Sequence, residues 1–283
     1  MTKASIIIPT LNRKEILLET LKHLSTLQGD FEVLVVDQSD EPILEKALKD
    51  IDQRIRLVRV EEKGLPNARN LGAEEADGEI LIYLDDDVLI QNQDFLEAHV
   101  HNFQNPLVGA VAGRVKQPGE GVSIKVIGGI RTALLVVGGS FNYIEKQKVT
   151  GMIGCNFSIR KSLVRELGGF DKGFIGSANL EESDMAIRVQ RAGYEIVFEP
   201  QAYLHHLAWQ KGGVRNDLKK NFEKYKWIAR NQKYFFKKHG SPILFPLFIC
   251  VVIVRGKLYS FKEKSLKPLI ETFKGVLISF NFS

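Results

Sequence analysis

The sequence predicts an α/β protein, one doubly wound domain on a mainly parallel central sheet with a helical C-terminal extension, and three observations predict it. Short apolar runs at 4–8, 31–36 and 79–84 each end in a polar turn, as buried strands do. Between the first two, Ile16, Leu17, Thr20, Leu21 and Leu24 recur at helical spacing. Strand, helix and strand make a βαβ unit, whose ligand crevice lies at the carboxyl ends of the strands. Third, the run Glu79-Ile80-Leu81-Ile82-Tyr83-Leu84 empties into Asp85-Asp86-Asp87. Three like charges at the end of a buried strand repel one another and resist desolvation. A divalent cation removes that difficulty, because Mg²⁺ and Mn²⁺ take oxygen ligands and sit between carboxylates and substrate phosphates. The plainer alternative is a solvated turn after a strand.

The elements follow in order. Pro9 ends the first strand, and a turn at 9–13 precedes the first helix. The second strand stops at Asp37-Gln38-Ser39-Asp40, a helix covers about 42–50, and a third strand runs from Ile55 to Val60. Gly64 and Pro66 shape a loop and start a helix, whose N-terminus, with Lys63 and Arg69 beside it, favours an anion. Beyond the three aspartates, 108–115 reads as a strand, 126–141 as variable loops covering a site, and 151–160 as a strand. Residues 179–191 read as a helix capped by Gly193, and a last strand from Tyr194 passes Pro200 to His205-His206.

The chain has 283 residues, 44% hydrophobic and 26% charged, with no repeat or low-complexity tract. Cys155 and Cys250 lie far apart, which excludes a disulfide framework or zinc pattern and fits a reducing compartment. The N-terminus enters a strand at once, so no signal peptide is expected. Residues 1–210 hold 23 Lys/Arg against 30 Asp/Glu, a balance of −7, while 211–283 hold 16 against 4, a balance of +12. An acidic body thus carries a basic tail, suited to nucleic acid, an anionic membrane or a phosphorylated substrate.

Each candidate residue has a bland reading beside the functional one. Glu181, Glu182 and Asp184 could supply a catalytic carboxylate, or merely complement the helix dipole, with Asp184 pairing to Arg188 four residues on. His205 and His206 follow a strand, where near a metal an imidazole is an ordinary ligand. Lys63 and Arg69 could be a basic surface loop, and Asp37 could cap its own turn.

The combination and its order decide. Residues 1–206 closely resemble the inverting family 2 glycosyltransferases of GT-A fold. The resemblance rests on Ser5-Ile6-Ile7-Ile8-Pro9-Thr10-Leu11-Asn12-Arg13, Val35-Val36-Asp37-Gln38-Ser39, the stretch Gly64 to Gly72, Leu84-Asp85-Asp86-Asp87-Val88, Gly169-Phe170-Asp171, and Glu181-Glu182-Ser183-Asp184-Met185 with Arg188. It implies that Thr10, Asp37 and Arg69 hold the nucleotide base and ribose, together with Pro9, Asn12, Arg13, Lys63, Gly64 and Asp86 around them. It implies Asp85 near the ribose, Asp87 as the metal carboxylate of a D-x-D motif, and His205 or His206 completing the metal or diphosphate site. Glu182 matches the general base; Glu-Glu stands here where the family usually has Glu-Asp, so Glu181 and Asp184 stay candidates. Asp86 is expected to face away, since alternate residues of an extended segment point to opposite sides.

The expected activity is a metal-dependent inverting hexosyltransferase, with Mn²⁺ or Mg²⁺, a UDP- or dTDP-type sugar donor and a glycan or lipid-linked acceptor, in polysaccharide, O-antigen or glycolipid assembly. Residues 1–210 form the expected catalytic domain and 211–283 the extension, on a cytoplasmic protein at the inner face of the plasma membrane. One alternative is a nucleotidyl- or phosphotransferase, against which stands the lack of a G-x-x-x-x-G-K-[ST] loop. Another is a nucleotide-sugar or nucleic-acid binding module; an acidic body argues against nucleic acid. In the tail, a basic aromatic helix from Phe222 precedes an apolar run at 243–254 that contains Pro246 and falls short of a span, with a second amphipathic piece at 266–282. The extension reads either as core helices with a solvated basic face or as a peripheral attachment to an anionic membrane.

Overall fold

The computed structural model describes residues 3–278 except 42, 44, 124–127, 132, 210 and 215–221. Its strands are β1 Ala4–Thr10, β2 Phe31–Asp37, β3 Ile55–Arg59, β4 Ile80–Leu84, β5 Val88–Leu89, β6 Val108–Lys116, β7 Gly129–Arg131, β8 Val136–Gly138, β9 Gln147–Val149, β10 Asn156–Arg160 and β11 Glu195–His206. Its α-helices are α1 Lys14–Ser25, α2 Glu45–Lys49, α3 Leu65–Glu75, α4 Phe95–Val100, α5 Lys161–Glu166, α6 Glu181–Arg191, α7 Lys224–His239, α8 Phe245–Lys262 and α9 Lys267–Leu277.

The main sheet runs β3-β2-β1-β4-β10-β6-β11-β5, with β9 on β11. The half β3-β2-β1-β4 is parallel, in a register that sets Thr10 beside Asp37 and Ile7 beside Tyr83. Every residue of β1, β2 and β4 is buried, which explains their unbroken apolar runs: helices cover both faces. Side chains alternate between those faces. Ile6, Ile8, Val33, Val35, Ile82 and Leu84 pack with α1, α2 and α4. Ile7, Leu34, Val36, Leu81 and Tyr83 pack with α3, α5 and α6.

The other half is not all parallel. β10 is inserted antiparallel between β4 and β6, so the strand expected at 108–115 does not neighbour the aspartate strand. β6 and β11 are parallel, with a register shift between Glu199 and Tyr203 that spans Pro200. Proline has no N–H for the ladder, so the strand slips there and continues. Its last two residues then pair antiparallel with β5, setting His206 beside Val88 and so next to Asp87. The region expected as loops at 126–141 contains the small β7–β8 ribbon; residues 124–127 and 132 lie outside the described set.

The expected tail helices form, over different bounds. α8 extends to Lys262, well past the apolar run, and α9 spans Lys267–Leu277, while residues 279–283 lie outside the described set. α7 docks on the body rather than hanging from it. Arg230 donates to the Gly173 carbonyl, and Lys238 pairs with Asp171 and Asp184 at 2.6 and 2.7 Å.

Candidate active site

The carboxyl ends of β1, β2 and β4 open into a cleft of about 650 Å³, lined also by Lys172, residues 174–177, His206, Ala208, Trp209 and residues 212–214. Asp85 is half-buried at its edge, and Asp86 and Asp87 are buried. Asp87 Oδ2 accepts from Arg13 Nη2 at 2.7 Å and from the Trp209 backbone N–H at 2.8 Å. Its buried Oδ1 receives no protein hydrogen bond among the described residues and faces His206 Nε2 across 3.2 Å. Burial alone would raise the Asp87 pKa; His206 and Arg13 outweigh it and hold the carboxyl far below the usual carboxylate range.

Ligand atoms of Asp85, Asp87 and His206 all lie within 4.8 Å of one another. His206 Nδ1 is bonded to Gln117 Oε1 at 2.8 Å, which fixes the ring and leaves Nε2 turned to the carboxylates. Two carboxylates and an imidazole suit a divalent cation such as Mn²⁺. The buried, unbonded Oδ1 of Asp87 is the atom such a cation would satisfy. His205, expected as the alternative ligand, points to the other side of the strand, bonded to Tyr203 Oη at 2.8 Å, and lies outside the cluster.

Asp86 does not face the cation cluster. Its carboxylate accepts from Thr10 Oγ1 at 2.7 Å and Arg13 Nη1 at 2.5 Å, and burial pushes its pKa up to about 7. Arg13 therefore ties the first loop to two of the three aspartates.

The remaining candidates divide sharply by position. Pro9, Arg13, Lys63, Gly64, Asp85, Asp86, Asp87 and His206 line the cleft. Asn12, at φ 54°, bridges two loops by donating to Asp40 Oδ2 at 2.9 Å, while Lys63 pairs with Asp40. Asp37 is fully buried and holds its own loop, accepting from the backbone of Ser39 and Ile43 and from Arg59. Thr10, Asp37 and Arg69 thus stand buried behind the cleft wall, while Asn12 is exposed and outside the lining. Arg69 is buried among the rings of Tyr83, Phe157 and Phe170, paired with Glu181 and donating to the Gly154 carbonyl at 2.7 Å. Burial lowers its pKa, and the charges of Asp85 and Glu182 work against that, so this guanidinium sits between the aspartate cluster and α6.

α6 begins after Leu180 at φ 78°, a left-handed residue that is not glycine and costs on the order of 1 kcal/mol. Of its acidic residues, Glu181 is buried against Arg69. Asp184 is fully buried between Arg188, Lys238 and His239, the last at 2.7 Å. Glu182 is half-buried. Sequence reasoning left Gln38, Asn67, Lys172 and Trp209 without a role, although all four line the cleft. Gln38 follows Asp37 directly, and Trp209 is one of only two tryptophans, close after the histidines.

Sheet, crevice and cluster together define an α/β protein of GT-A fold with a candidate divalent-cation site at the strand ends. The chain belongs to the glycosyl transferase family 2, whose sequence model matches residues 5–168. It is similar to the probable glycosyltransferase YdaM of Bacillus subtilis, 23% identical over 88% of this chain and 61% of that protein. It is also similar to the O-antigen chain rhamnosyltransferase RfbN of Salmonella typhimurium, 25% identical over 72% of this chain and 66% of that one. The chain therefore spans somewhat under two thirds of these relatives' lengths. Among solved structures, the mannosyltransferase PcManGT from Pyrobaculum calidifontis, in complex with GDP-Man and Mn²⁺, superposes with a TM-score of 0.61 at 19% identity, covering 97% of this chain and 74% of that one.

Proposed function

We propose that this chain transfers a hexosyl group, with inversion, from a nucleoside diphosphate sugar to a hydroxyl of a glycan or lipid-linked acceptor, at the cytoplasmic face of the membrane. The carrying observation is the Asp85, Asp87 and His206 cluster inside the cleft. A cation held there, Mn²⁺ or Mg²⁺, would offset charge growing on the leaving diphosphate. Arg13, Lys63 and Lys172 add positive charge to the same cleft, and the N-terminus of α3 at Leu65 opens onto it.

The acceptor oxygen bonds to the anomeric carbon as the bond from that carbon to the phosphate oxygen breaks, its electron pair leaving with the nucleoside diphosphate. The acceptor proton passes to one carboxylate, and a single base suffices for an inverting transfer. Glu181 is closed in by the buried Arg69, and Asp184 by Arg188, Lys238 and His239, which supports Glu182 as that base. Asp85 is assigned to the ribose side of the donor as well as to the cation. Thr10, Asp37 and Arg69 act behind the wall, by fixing Asp86, the Gln38 loop and α6.

The relatives differ in the sugars their names carry, rhamnose in one and GDP-mannose in another. The test is a screen of UDP-, dTDP- and GDP-sugars, scored by thermal stabilisation with and without Mn²⁺. One donor should raise the melting temperature only with the cation, and release its nucleoside diphosphate when an acceptor is added. Stabilisation without release would favour a binding module. Absence of stabilisation by every donor would sink the reading.

A further inference from the structure

α8 is apolar on two opposite sides. Phe248, Val252, Gly256 and Ser260, four residues apart, face inward, and Gly256 lies so close to α9 that a Cβ would come within 2.7 Å of Thr272 Oγ1. At about 100° per residue, Leu247, Val254, Leu258 and Phe261 fall on the far side of the helix. They are solvent-exposed, Phe261 to 71%. α9 repeats the pattern, with Thr272 and Gly275 inward and Ile270, Phe273 and Leu277 outward, Leu277 to 80%. Two neighbouring helices therefore present apolar stripes that the described residues leave uncovered, a feature that marks an interaction surface.

Charge identifies the partner. Between Ser241 and Ile278 stand six basic residues, Arg255, Lys257, Lys262, Lys264, Lys267 and Lys274, against two acidic ones. Both acids are occupied: Glu263 accepts from Lys224 and Tyr225, and Glu271 pairs with Lys274. Apolar stripes flanked by cations complement an anionic bilayer, whose headgroups take the lysines while its acyl boundary takes the leucines and phenylalanines. A second copy of this chain would set the same cations against one another.

We propose that α8 and α9 lie in the interface of an anionic membrane, parallel to its plane, a reading independent of the transfer chemistry. The stretch Pro242–Lys262, which contains an 18-residue window of mean hydropathy 1.8, is long enough to cross a bilayer. Its packing opposes crossing. Arg255 and Lys257 sit within it, and its inner side is occupied, Phe248 stacking on Phe236 of α7 at 4.2 Å. α7 in turn is fastened to the body through Asp171 and Asp184.

The test uses the full chain with phosphatidylcholine vesicles, with and without phosphatidylglycerol. Sedimentation with the phosphatidylglycerol vesicles alone, reversed by high salt and by alkaline carbonate, is the expected result. Leu258→Asp with Phe261→Asp changes only exposed side chains; it should keep the melting temperature and weaken partition by about tenfold or more. Each of Lys257→Gln, Lys262→Gln and Lys267→Gln should weaken it about fivefold. Failure to bind at low salt, or binding that both substitution sets leave unchanged, would overturn the proposal. So would resistance to carbonate, which means crossing, or a dimer that buries these residues and ignores vesicles.

Discussion

The chain carries two acidic triplets, Asp85-Asp86-Asp87 after β4 and Glu181, Glu182 and Asp184 in the first turn of α6, and the fold treats them differently. In the first, one arginine serves two carboxylates: Arg13 bonds Asp86 and Asp87 from within the cleft. Asp85, Asp87 Oδ1 and His206 are left converging there. In the second, other side chains close off two of the three, Arg69 on Glu181 and Arg188, Lys238 and the His239 ring on Asp184, all away from the cleft lining. Charge density alone does not make a site. What separates the triplets is whether the protein's own side chains supply the counter-charges or leave room for one from solution.

The sharpest way to break that contrast is Asp87→Ala, which removes the anchor of Arg13 and a ligand oxygen together. Mn²⁺-dependent release of nucleoside diphosphate should fall on the order of 10³-fold. Retained turnover would remove the first triplet from the chemistry. Next come two isosteric changes at adjacent positions. Glu182→Gln should cost about 10²-fold or more in turnover with donor affinity kept. Glu181→Gln leaves Arg69 buried without its partner and should instead cost about 3 kcal/mol of stability in chemical unfolding. Similar losses of turnover and stability in both would erase the distinction between the two glutamates.

Asp184 gives a pH signature. Although burial opposes it, the hydrogen bond from His239 and the charges of Arg188 and Lys238 lower its pKa from 3.8 to about 2. A folded-state pKa below the unfolded value gives stability that is present above about pH 4 and lost as pH falls toward 2. Asp184→Asn should remove about 2 kcal/mol at neutral pH and flatten the acid limb of the stability profile. Unaltered acid unfolding would show the clasp on α7 to be slack. The smallest contrast is between the adjacent histidines. His206→Ala should weaken Mn²⁺ binding about tenfold or more by titration calorimetry, while His205→Ala should leave it within about twofold.

Much of this was legible beforehand, for physical reasons. A strand buried on both faces has to be apolar throughout, so β1, β2 and β4 announced themselves, and a strand ending in Asp85-Asp86-Asp87 announced the crevice. Alternation in an extended segment accounts for Asp86 bonding Thr10 and Arg13 rather than joining the cation cluster, although Asp86 still lines the cleft it was expected to face away from. Tertiary partners were not legible, because ion pairs between residues far apart leave no periodicity. Nothing in the order of residues says that Arg69 meets Glu181, that Asp37 spends its oxygens on its own loop, or that β10 enters antiparallel beside β4. The choice of His206 over His205 needed the slip at Pro200, which sets the strand's final phase.

The fastening of α7 has a consequence for anyone who would shorten this protein. The family match ends at residue 168, and the acidic body of the sequence ends near 210. A cut at 210 looks harmless on paper, since it keeps every motif. It would nevertheless strip Asp184 of Lys238 and His239, strip Asp171 of Tyr234 and Lys238, and bare Phe174, which packs against Phe235. The trimmed chain should therefore melt at a lower temperature than the full one, because α6 would keep its inner packing and Arg188 but lose its outer supports with the helix that looks most like an appendix.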